Sequence, residues 1–260
     1  MEQSLRFTLN FPFMSPQVTV SVVSHGQAAL VGELLSDLDA HCSTGLTVIL
    51  TLNIAEPLPF APTDFKFPVA IIRNAAARGF SANHNAAFRL TQTEYFCVVN
   101  PDVRLSRDPF PPLLDRLQDG VIGVAAPLVL DPSGKIEDSA RRFPTPFGIL
   151  KKALSARRDI DYAIGAEPVF PDWVAGMFML FRSATFGAIG GFDEGYFLYY
   201  EDVDICWRLR RKGMRPVLVP AAGIVHNARR ESHRNARYRV WHATSMARFF
   251  LTRGFGHRGP

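Results

Sequence analysis

The chain has 260 residues, 47% of them hydrophobic and 20% charged, a balance that argues against a disordered polypeptide and suits one large globular domain. Its three cysteines, Cys42, Cys97 and Cys206, are widely spaced without a C-x-x-C pair, which argues against a disulfide framework and a zinc site. The net charge of +5 is regional: basic residues gather at Arg141, Arg142, Lys151, Lys152, Arg157 and Arg158, and again from Arg208 to Arg239, which points to phosphate-bearing or anionic partners.

Residues 1–17 read as a lead-in. Glu2 stands early and Pro12 and Pro16 interrupt the segment, so it lacks the charge-then-apolar layout of a secretion signal. No apolar run reaches the ~18 residues of a bilayer span, and the expected location is cytoplasmic. Val18 to Ser24 is a β-branched run of strand length, followed by Gly26 and a helical pattern from Ala28 to Ala40. Leu46 to Leu52 and Pro68 to Ile72 are further strands of buried type. Ser81 opens a helix to about Leu90, and Tyr95 to Val99 is a fourth strand. Short apolar strands alternating with helices predict an α/β fold with a mostly parallel sheet covered on both faces. Ligands gather at the carboxyl ends of such strands, here Ser24-His25-Gly26, Asn53, Arg73-Asn74 and Asn100-Pro101-Asp102.

The second half changes character. Val121 to Pro127 and Leu128 to Leu130 read as short strands, and Asp131-Pro132-Ser133-Gly134 as a turn. Arg141 to Pro171, rich in proline and basic residues, reads as a long loop or partly helical excursion. Trp173 to Phe181 returns to strand, and Glu201 to Lys212 to helix with Gly213 as its stop. Val217 to Val219 and Ile224 to Val225 are short strands, and Ser232 to Arg253 is a terminal helix.

Four constellations have residue types that carry chemistry. Asn100-Pro101-Asp102 puts an acid just past a buried strand, where a hard divalent cation can be held against a diphosphate; the same tripeptide is also a plain turn. Tyr199-Tyr200-Glu201-Asp202-Val203-Asp204 puts three carboxylates in the first turn of a helix, which the macrodipole favours without any further role. A carboxylate fixed there beside Phe197, Tyr199 and Tyr200 is equally well placed as a general base. His226 follows a short strand and reads as a surface or core histidine unless a metal is already implied. Arg78-Gly79-Phe80-Ser81-Ala82-Asn83-His84-Asn85 resembles a helix start with backbone N–H groups free for a phosphate. Simple capping is the plainer reading, although Asn83 and Asn85 are poor helix formers.

Together, in this order, these pieces resemble glycosyltransferase family 2, the inverting transferases of the GT-A fold, and within it the bacterial rhamnosyltransferase-like enzymes of surface-polysaccharide (lipopolysaccharide) synthesis. The likeness runs from about Val18 to Arg253. It is most specific at Arg78 to Asn85, Asn100 to Val103, Arg142-Phe143-Pro144-Thr145, and from Trp173-Val174-Ala175-Gly176 through Gly190-Gly191-Phe192-Asp193-Glu194 to Asp204. The resemblance implies a nucleotide-sugar-binding half at 18–127, an acceptor and catalytic half at 128–231, and a C-terminal helix and tail at 232–260, in one continuous domain. It implies residue roles as well. Asp102 matches the last acid of the metal motif, with Asn100 where many members carry another acid, and His226 matches an additional metal or diphosphate contact. Asp202 matches the catalytic base, with Glu201 beside it, and Trp173 and Gly176 match the acceptor wall. Ser24, Asn53, Arg78, Gly79 and Asn83 would line the nucleotide pocket. The chain departs from its relatives at Ser24-His25-Gly26, where they commonly read Thr-Tyr-Asn, and at Leu52, where they place an acid.

The implied reaction moves a sugar, with L-rhamnose as the candidate, from a dTDP- or UDP-linked donor to a hydroxyl of a glycan or lipid-linked acceptor, with Mg²⁺ or Mn²⁺ as cofactor. A non-catalytic nucleotide-sugar or glycan-binding module with a degenerate donor pocket is the alternative. Nucleic acid is not expected as a partner, because Phe197, Tyr199 and Tyr200 neighbour acids rather than arginines. In the terminal helix, at ~100° per residue, Arg234, Arg237, Trp241 and Arg248 share one stripe and Val240, Ala243, Ala247, Phe250 and Leu251 another. The apolar stripe is expected to pack on the domain. The basic stripe is expected to meet an anionic surface at the inner face of the cytoplasmic membrane, with a solvated basic face as the plainer alternative.

Overall fold

The computed structural model describes residues 17–149, 160–227 and 236–254. Residues 1–16 of the expected lead-in, Lys151, Lys152, Arg157, Arg158 and Arg234 lie outside the described residues, as do the first residues expected for the terminal helix. Ten strands are described: β1 (Val18–Ser24), β2 (Leu46–Leu52), β3 (Val69–Arg73), β4 (Tyr95–Val99), β5 (Val103–Arg104), β6 (Ile122–Leu130), β7 (Ala140–Arg141), β8 (Trp173–Val174), β9 (Phe178–Arg182) and β10 (Arg215–His226). Eight of them form one sheet in the order β3-β2-β1-β4-β9-β6-β10-β5, and β7 pairs with β8 apart from it.

The first four strands run parallel, with β1 between β2 and β4 and β3 outside β2. β9 then runs antiparallel to both β4 and β6, and β10 rejoins β6 in parallel. Period-two alternation sends successive side chains to opposite faces. On one face Val18, Val20 and Val22, Val48 and Leu50, Cys97 and Val99, and Phe178 and Leu180 share a core. On the other, Phe96, Val98, Met179 and Phe181 do the same. The helices α1 (Ala28–His41) and α3 (Phe110–Arg116) cover the first face through residues such as Leu34, Leu35 and Phe110. Fully burying one such leucine contributes about 1.5–3 kcal/mol.

The second face carries α2 (Phe80–Phe88), α4 (Ser183–Ala188), α5 (Glu201–Arg211) and α6 (Ala236–Arg253). A polar pin ties α2 to β1 here: Ser21 Oγ lies 2.8 Å from His84 Nδ1. Burial pushes the His84 pKa down to about 3, so the ring is neutral. Helix α5 ends where expected. Gly213 takes φ +78°, and the Met214 N–H reaches back to the Leu209 carbonyl at 3.0 Å.

Three elements differ from the sequence reading. The two short strands expected over 121–130 are one, β6, which runs through the 127/128 boundary; those expected over 217–225 are likewise one strand, irregular between Val219 and Gly223. The strand expected from Trp173 to Phe181 is two, interrupted at 175–177. The helices α3 and α4 carried no periodic signal long enough to read.

The terminal helix is turned about its axis relative to expectation. Val240 (59% exposed) and Leu251 (79% exposed) face solvent, as do Ala243 and Ala247. Of the expected apolar stripe Phe250 packs inward, and the rest of the packed face carries Ser245 and Phe249. Trp241, expected on the outward stripe, sits against Phe197 with ring centroids 4.8 Å apart. Arg248 donates to Asp193 at 3.0 Å. Arg253 Nε donates to the fully buried Asp204 at 2.6 Å, and Arg208 Nε donates to the same carboxylate at 2.7 Å. Charge pairing with buried acids outweighs the apolar stripe, because a buried carboxylate without a cation is far costlier than an exposed valine. Arg253→Met, which keeps the aliphatic stem, is expected to destabilise the fold by roughly 1–3 kcal/mol. Urea denaturation checks this, and an unchanged midpoint would show that Arg208 alone suffices.

Candidate active site

The interruption between β8 and β9 organises the site. At 175–177 the backbone leaves the ladder. The Gly176 N–H donates to Asp202 Oδ2 at 3.0 Å, and the Met177 carbonyl accepts from the Asn100 N–H at 2.9 Å. Adjacent residues of one turn therefore hold the start of α5 on one side and the end of β4 on the other. A Cβ placed on Gly176 would point into the space between Asp202 Oδ2, 3.6 Å away, and the tip of Phe80, 3.7 Å away. The absence of a side chain keeps that space open beside the carboxylate.

Asp202 is partly buried and accepts a second backbone hydrogen bond, from Val203 at 2.8 Å. Burial raises its pKa, against the pull of those two amides and of Arg141. Glu201 beside it is buried, and its Oε2 has no hydrogen-bond partner. Burial, followed by the charge of Asp202, lifts Glu201 well above the usual carboxylate range. The two residues leading into α5 are Tyr199 and Tyr200, at φ +71° and +68°. Consecutive left-handed non-glycine residues are strained by roughly 1–3 kcal/mol each. Helix α6 holds them in place: the His242 ring lies 5.5 Å and 5.4 Å from the two tyrosine rings, and Ser245 Oγ donates to the Leu198 carbonyl at 2.8 Å.

Two residues beyond Asn100, Asp102 meets His226 from β10, with Asp102 Oδ2 3.4 Å from His226 Nε2. The pairing of β10 with β5 sets this meeting, placing His226 opposite Val103. His226 Nδ1 lies 2.9 Å from Glu137 Oε2. Burial opposes a charged ring, but Asp102 and Glu137 outweigh it and raise the His226 pKa. Asp102 Oδ1 is buried without a hydrogen-bond partner, which is unusual for a carboxylate oxygen unless a donor or cation approaches it. Among the described residues, no group of three or more His, Cys, Asp or Glu is arranged to hold an ion by itself. A hard oxygen and an imidazole nitrogen fit a divalent cation whose remaining ligands come from phosphate and water.

The two centres are linked along the chain segment 137–141. The Glu137 carbonyl accepts from the Ser139 N–H, and the Ser139 carbonyl accepts from the Ala175 N–H, both at 2.9 Å. Arg141 lies over the Trp173 ring, 5.3 Å from its centroid. Trp173 is only 9% exposed and donates its indole N–H to the Arg142 carbonyl at 2.9 Å. Trp173 underlies the site more than it lines it.

On the donor side, most of the expected residues support one another. Ser24 is buried and its Oγ accepts from the Gln27 N–H at 3.1 Å. Asn53 Oδ1 accepts from the Arg78 N–H at 2.7 Å and from Asn74 at 2.9 Å, and its amide donates to the Arg78 carbonyl at 2.9 Å. Asn74 also donates to Asn83 Oδ1 at 2.7 Å. This amide network fixes the turn that ends in Gly79, over which Phe197 passes so closely that a Cβ on Gly79 would lie 2.7 Å from its carbonyl oxygen. The exposed side chain of Arg78 reaches Glu194 at 3.9 Å. Leu52 points into the first-face core. Sequence reasoning placed Asn74 at a strand end without a partner and missed Met177 and Glu137. Met177 acts through its backbone carbonyl, which no residue pattern announces, and Glu137 acts through a strand pairing.

The model of the glycosyl transferase family 2 proteins matches residues 51–185. Among curated proteins, the chain is 34% identical over 146 residues to the N-acetylglucosaminyl-diphospho-decaprenol L-rhamnosyltransferase of Mycobacterium tuberculosis, covering 52% of this chain and 47% of that protein. The chain thus spans about half the length of that relative. It is 27% identical over 246 residues to the rhamnosyltransferase WbbL of Escherichia coli, covering 89% of this chain and 92% of that protein. The fold is that of a mannosyltransferase from Pyrobaculum calidifontis in complex with GDP-Man and Mn²⁺, with a TM-score of 0.67, 17% identity, and coverage of 96% of this chain and 67% of the other. GalNAc-T7 with UDP, GalNAc and Mn²⁺ is similar at a TM-score of 0.64 and 16% identity, over 83% of this chain and 44% of that one. The expected GT-A architecture is the one observed.

Asn53→Ala removes an acceptor and a donor that hold the Arg78 peptide, and is expected to cost roughly 1–3 kcal/mol. The Arg78 amide should exchange hydrogen at least about ten-fold faster, since ~1.4 kcal/mol is a factor of ten in a local opening equilibrium. Unchanged exchange there would show that the turn is held by something else.

Proposed function

The chain belongs to glycosyl transferase family 2, and on that footing we propose that it is an inverting transferase, moving a sugar from a nucleoside-diphosphate donor to a hydroxyl of a glycan or lipid-linked oligosaccharide. L-Rhamnose on a dTDP or UDP carrier is the first candidate, since two relatives are named as rhamnosyltransferases. The observation that carries the reading is the Gly176-Met177 turn, which is hydrogen-bonded to Asp202 on one side and to Asn100, two residues before Asp102, on the other. A leaving-group site and a base must stand on either side of one sugar for a single displacement, and this turn lies between them.

In this reading residues 18–127 bind the donor, whose nucleotide lies along the carboxyl ends of β1 and β2. Ser24, Asn53, Gly79 and Asn83 shape the pocket, Arg78 faces it, and Asn100 and Asp102 meet the diphosphate. Residues 128–231 supply the acceptor side: Gly176 leaves room for the acceptor hydroxyl, Trp173 underlies that wall, and Glu201 backs Asp202. Mg²⁺ or Mn²⁺ held by Asp102 and His226 would supply Lewis-acid neutralisation of charge on the departing diphosphate. Asp202 Oδ2 takes the acceptor proton as the hydroxyl oxygen attacks the anomeric carbon from the face opposite the diphosphate. One displacement inverts the centre, and no covalent sugar intermediate forms. Burial of Glu201 next to Asp202, together with the Asp202 charge, disfavours a second negative charge beside the base.

A panel of nucleoside-diphosphate sugars with Mn²⁺, scored by nucleoside-diphosphate release with an acceptor present, tests the activity. Asp202→Asn is expected to leave donor binding nearly intact and to lower turnover by ~10²-fold or more. The base must be ionised, and its pKa is raised by burial. Activity in the parent protein should therefore fall as the pH is lowered through a limb lying above the ~3.9 of a free aspartate, and that limb should vanish in the variant. Full turnover in Asp202→Asn would remove the residue from this role. Donor binding without turnover for any sugar would favour a binding module instead.

For a lipid-linked acceptor the protein would work peripherally at the inner face of the cytoplasmic membrane. No helix among the described residues is long and apolar enough to cross a membrane. The exposed stripe of Val240, Ala243, Ala247 and Leu251 on α6, with Arg237 and Arg239 also exposed, has the character of a surface that enters anionic headgroups. Cosedimentation with anionic vesicles should be salt-sensitive and reduced several-fold in the Val240→Asp, Leu251→Asp double variant. Equal binding by both proteins would exclude this face.

A further inference from the structure

Glu137 stands outside every role assigned above, yet three separate constraints aim it at the candidate cation site. It follows the tight turn at 131–135, where Asp131 Oδ1 accepts from the Ser133 N–H at 2.8 Å, the Ser133 hydroxyl at 2.6 Å and the Lys135 N–H at 3.0 Å. Its own N–H donates to the Val129 carbonyl at 2.9 Å, which returns the chain against the end of β6. That end lies beside the end of β10, because Leu130 pairs with Val225, the residue before His226. Glu137 Oε2 accordingly lies 2.9 Å from His226 Nδ1, while His226 Nε2 faces Asp102.

We propose that Glu137 is a positioning residue for the cation: by accepting a hydrogen bond from His226 Nδ1–H it fixes the ring's orientation and leaves the Nε2 lone pair directed at the site beside Asp102. The inference rests on the reading of Asp102 and His226 as the cation's ligands. An imidazole binds a metal through an unprotonated nitrogen, and which nitrogen that is depends on the hydrogen bond made by the other. A neutral ring free of Glu137 is left with Asp102 as its carboxylate neighbour, which draws part of the proton population to Nε2, and the ring can also rotate. Each Nε2–H or misdirected ring is lost to binding. A carboxylate also increases the basicity of the ring it supports, and loss of such a partner typically weakens metal affinity by 10–100-fold. The turn at 131–135 does the corresponding work for Glu137, since a carboxylate on a loose loop would leave the ring unaided most of the time.

The test uses the full chain and Mn²⁺ alone, with bound metal followed by electron paramagnetic resonance and the His226 ring by long-range ¹H–¹⁵N correlation at a pH where the imidazole is neutral. The parent protein should show the Nδ1–H form of His226. Glu137→Ala should show a mixture of the two forms and a 10–100-fold weaker Mn²⁺ affinity, with its urea midpoint close to that of the parent. Glu137→Gln, which retains an acceptor oxygen, should fall between the two. Parent-like affinity in Glu137→Ala, with binding lost in Asp102→Ala, would overturn the part assigned to Glu137 alone. Mn²⁺ binding unaffected by Asp102→Ala would overturn the metal reading on which it rests. If Mn²⁺ alone binds too weakly to compare, the tautomer decides: an Nε2–H ring in the parent, or no change in Glu137→Ala, overturns the proposal.

Discussion

Interior strands keep their backbone groups paired along the ladder, so a strand that breaks inside a sheet leaves N–H and C=O groups that something else must satisfy. At Gly176 and Met177 the chain meets that demand from two directions. The Met177 carbonyl accepts from Asn100, which prolongs the β4–β9 pairing by one bond, and the Gly176 N–H turns away to a carboxylate at the start of α5. The rest of the site follows from this arrangement. Asp202 cannot leave without orphaning an amide, and the end of β4, with Asp102 two residues on, cannot drift from the same turn.

The three acids of the α5 first turn illustrate how environment divides identical chemistry. The helix dipole favours all three, but their partners separate them. Asp204 is fully buried and neutralised by Arg208 and Arg253. Asp202 is held by two backbone amides beside a glycine that puts no side chain against it. Glu201 has an unpaired buried oxygen, and burial and its neighbour's charge raise its pKa. Burial raises the pKa of both Glu201 and Asp202, and the Gly176 and Val203 amides pull that of Asp202 back. The strain at Tyr199 and Tyr200 is offset by α6, whose aromatic and hydroxyl contacts hold the loop. The terminal helix is therefore part of the machinery that aims α5.

The donor side is held by amides rather than charges. Asn53, Asn74 and Asn83 saturate one another and the Arg78 peptide, which makes the turn rigid while leaving the Arg78 guanidinium exposed. The Glu137–His226–Asp102 series adds a second rigid unit, built where the ends of β5, β6 and β10 converge.

Much of this was legible in the residue order. Short, nearly continuous apolar and β-branched runs identified β1, β2 and β4 to the residue, because a strand buried on both faces has little freedom in composition. Gly213 marked the end of α5, since few other residues accept its backbone angle. The acidic motifs at Asp102 and Glu201-Asp202 were visible as motifs. Their division of labour was not, because protonation depends on burial and partners that come from distant parts of the chain. The break in the strand at 175–177 was hidden, as nothing in Val174-Ala175-Gly176-Met177 forbids a continuous strand. Only the competing demands of Asn100 and Asp202 open it. The terminal helix shows the same limit: its two stripes follow from spacing, but which residues face inward depended on half-buried Asp193 and fully buried Asp204, whose charges attract arginines more strongly than the core attracts a few apolar side chains. Sequence by itself determined the elements and the kinds of chemistry available. Tertiary structure decided which groups meet, because pairing of buried charges and backbone polar groups is a property of the whole fold and not of any one segment.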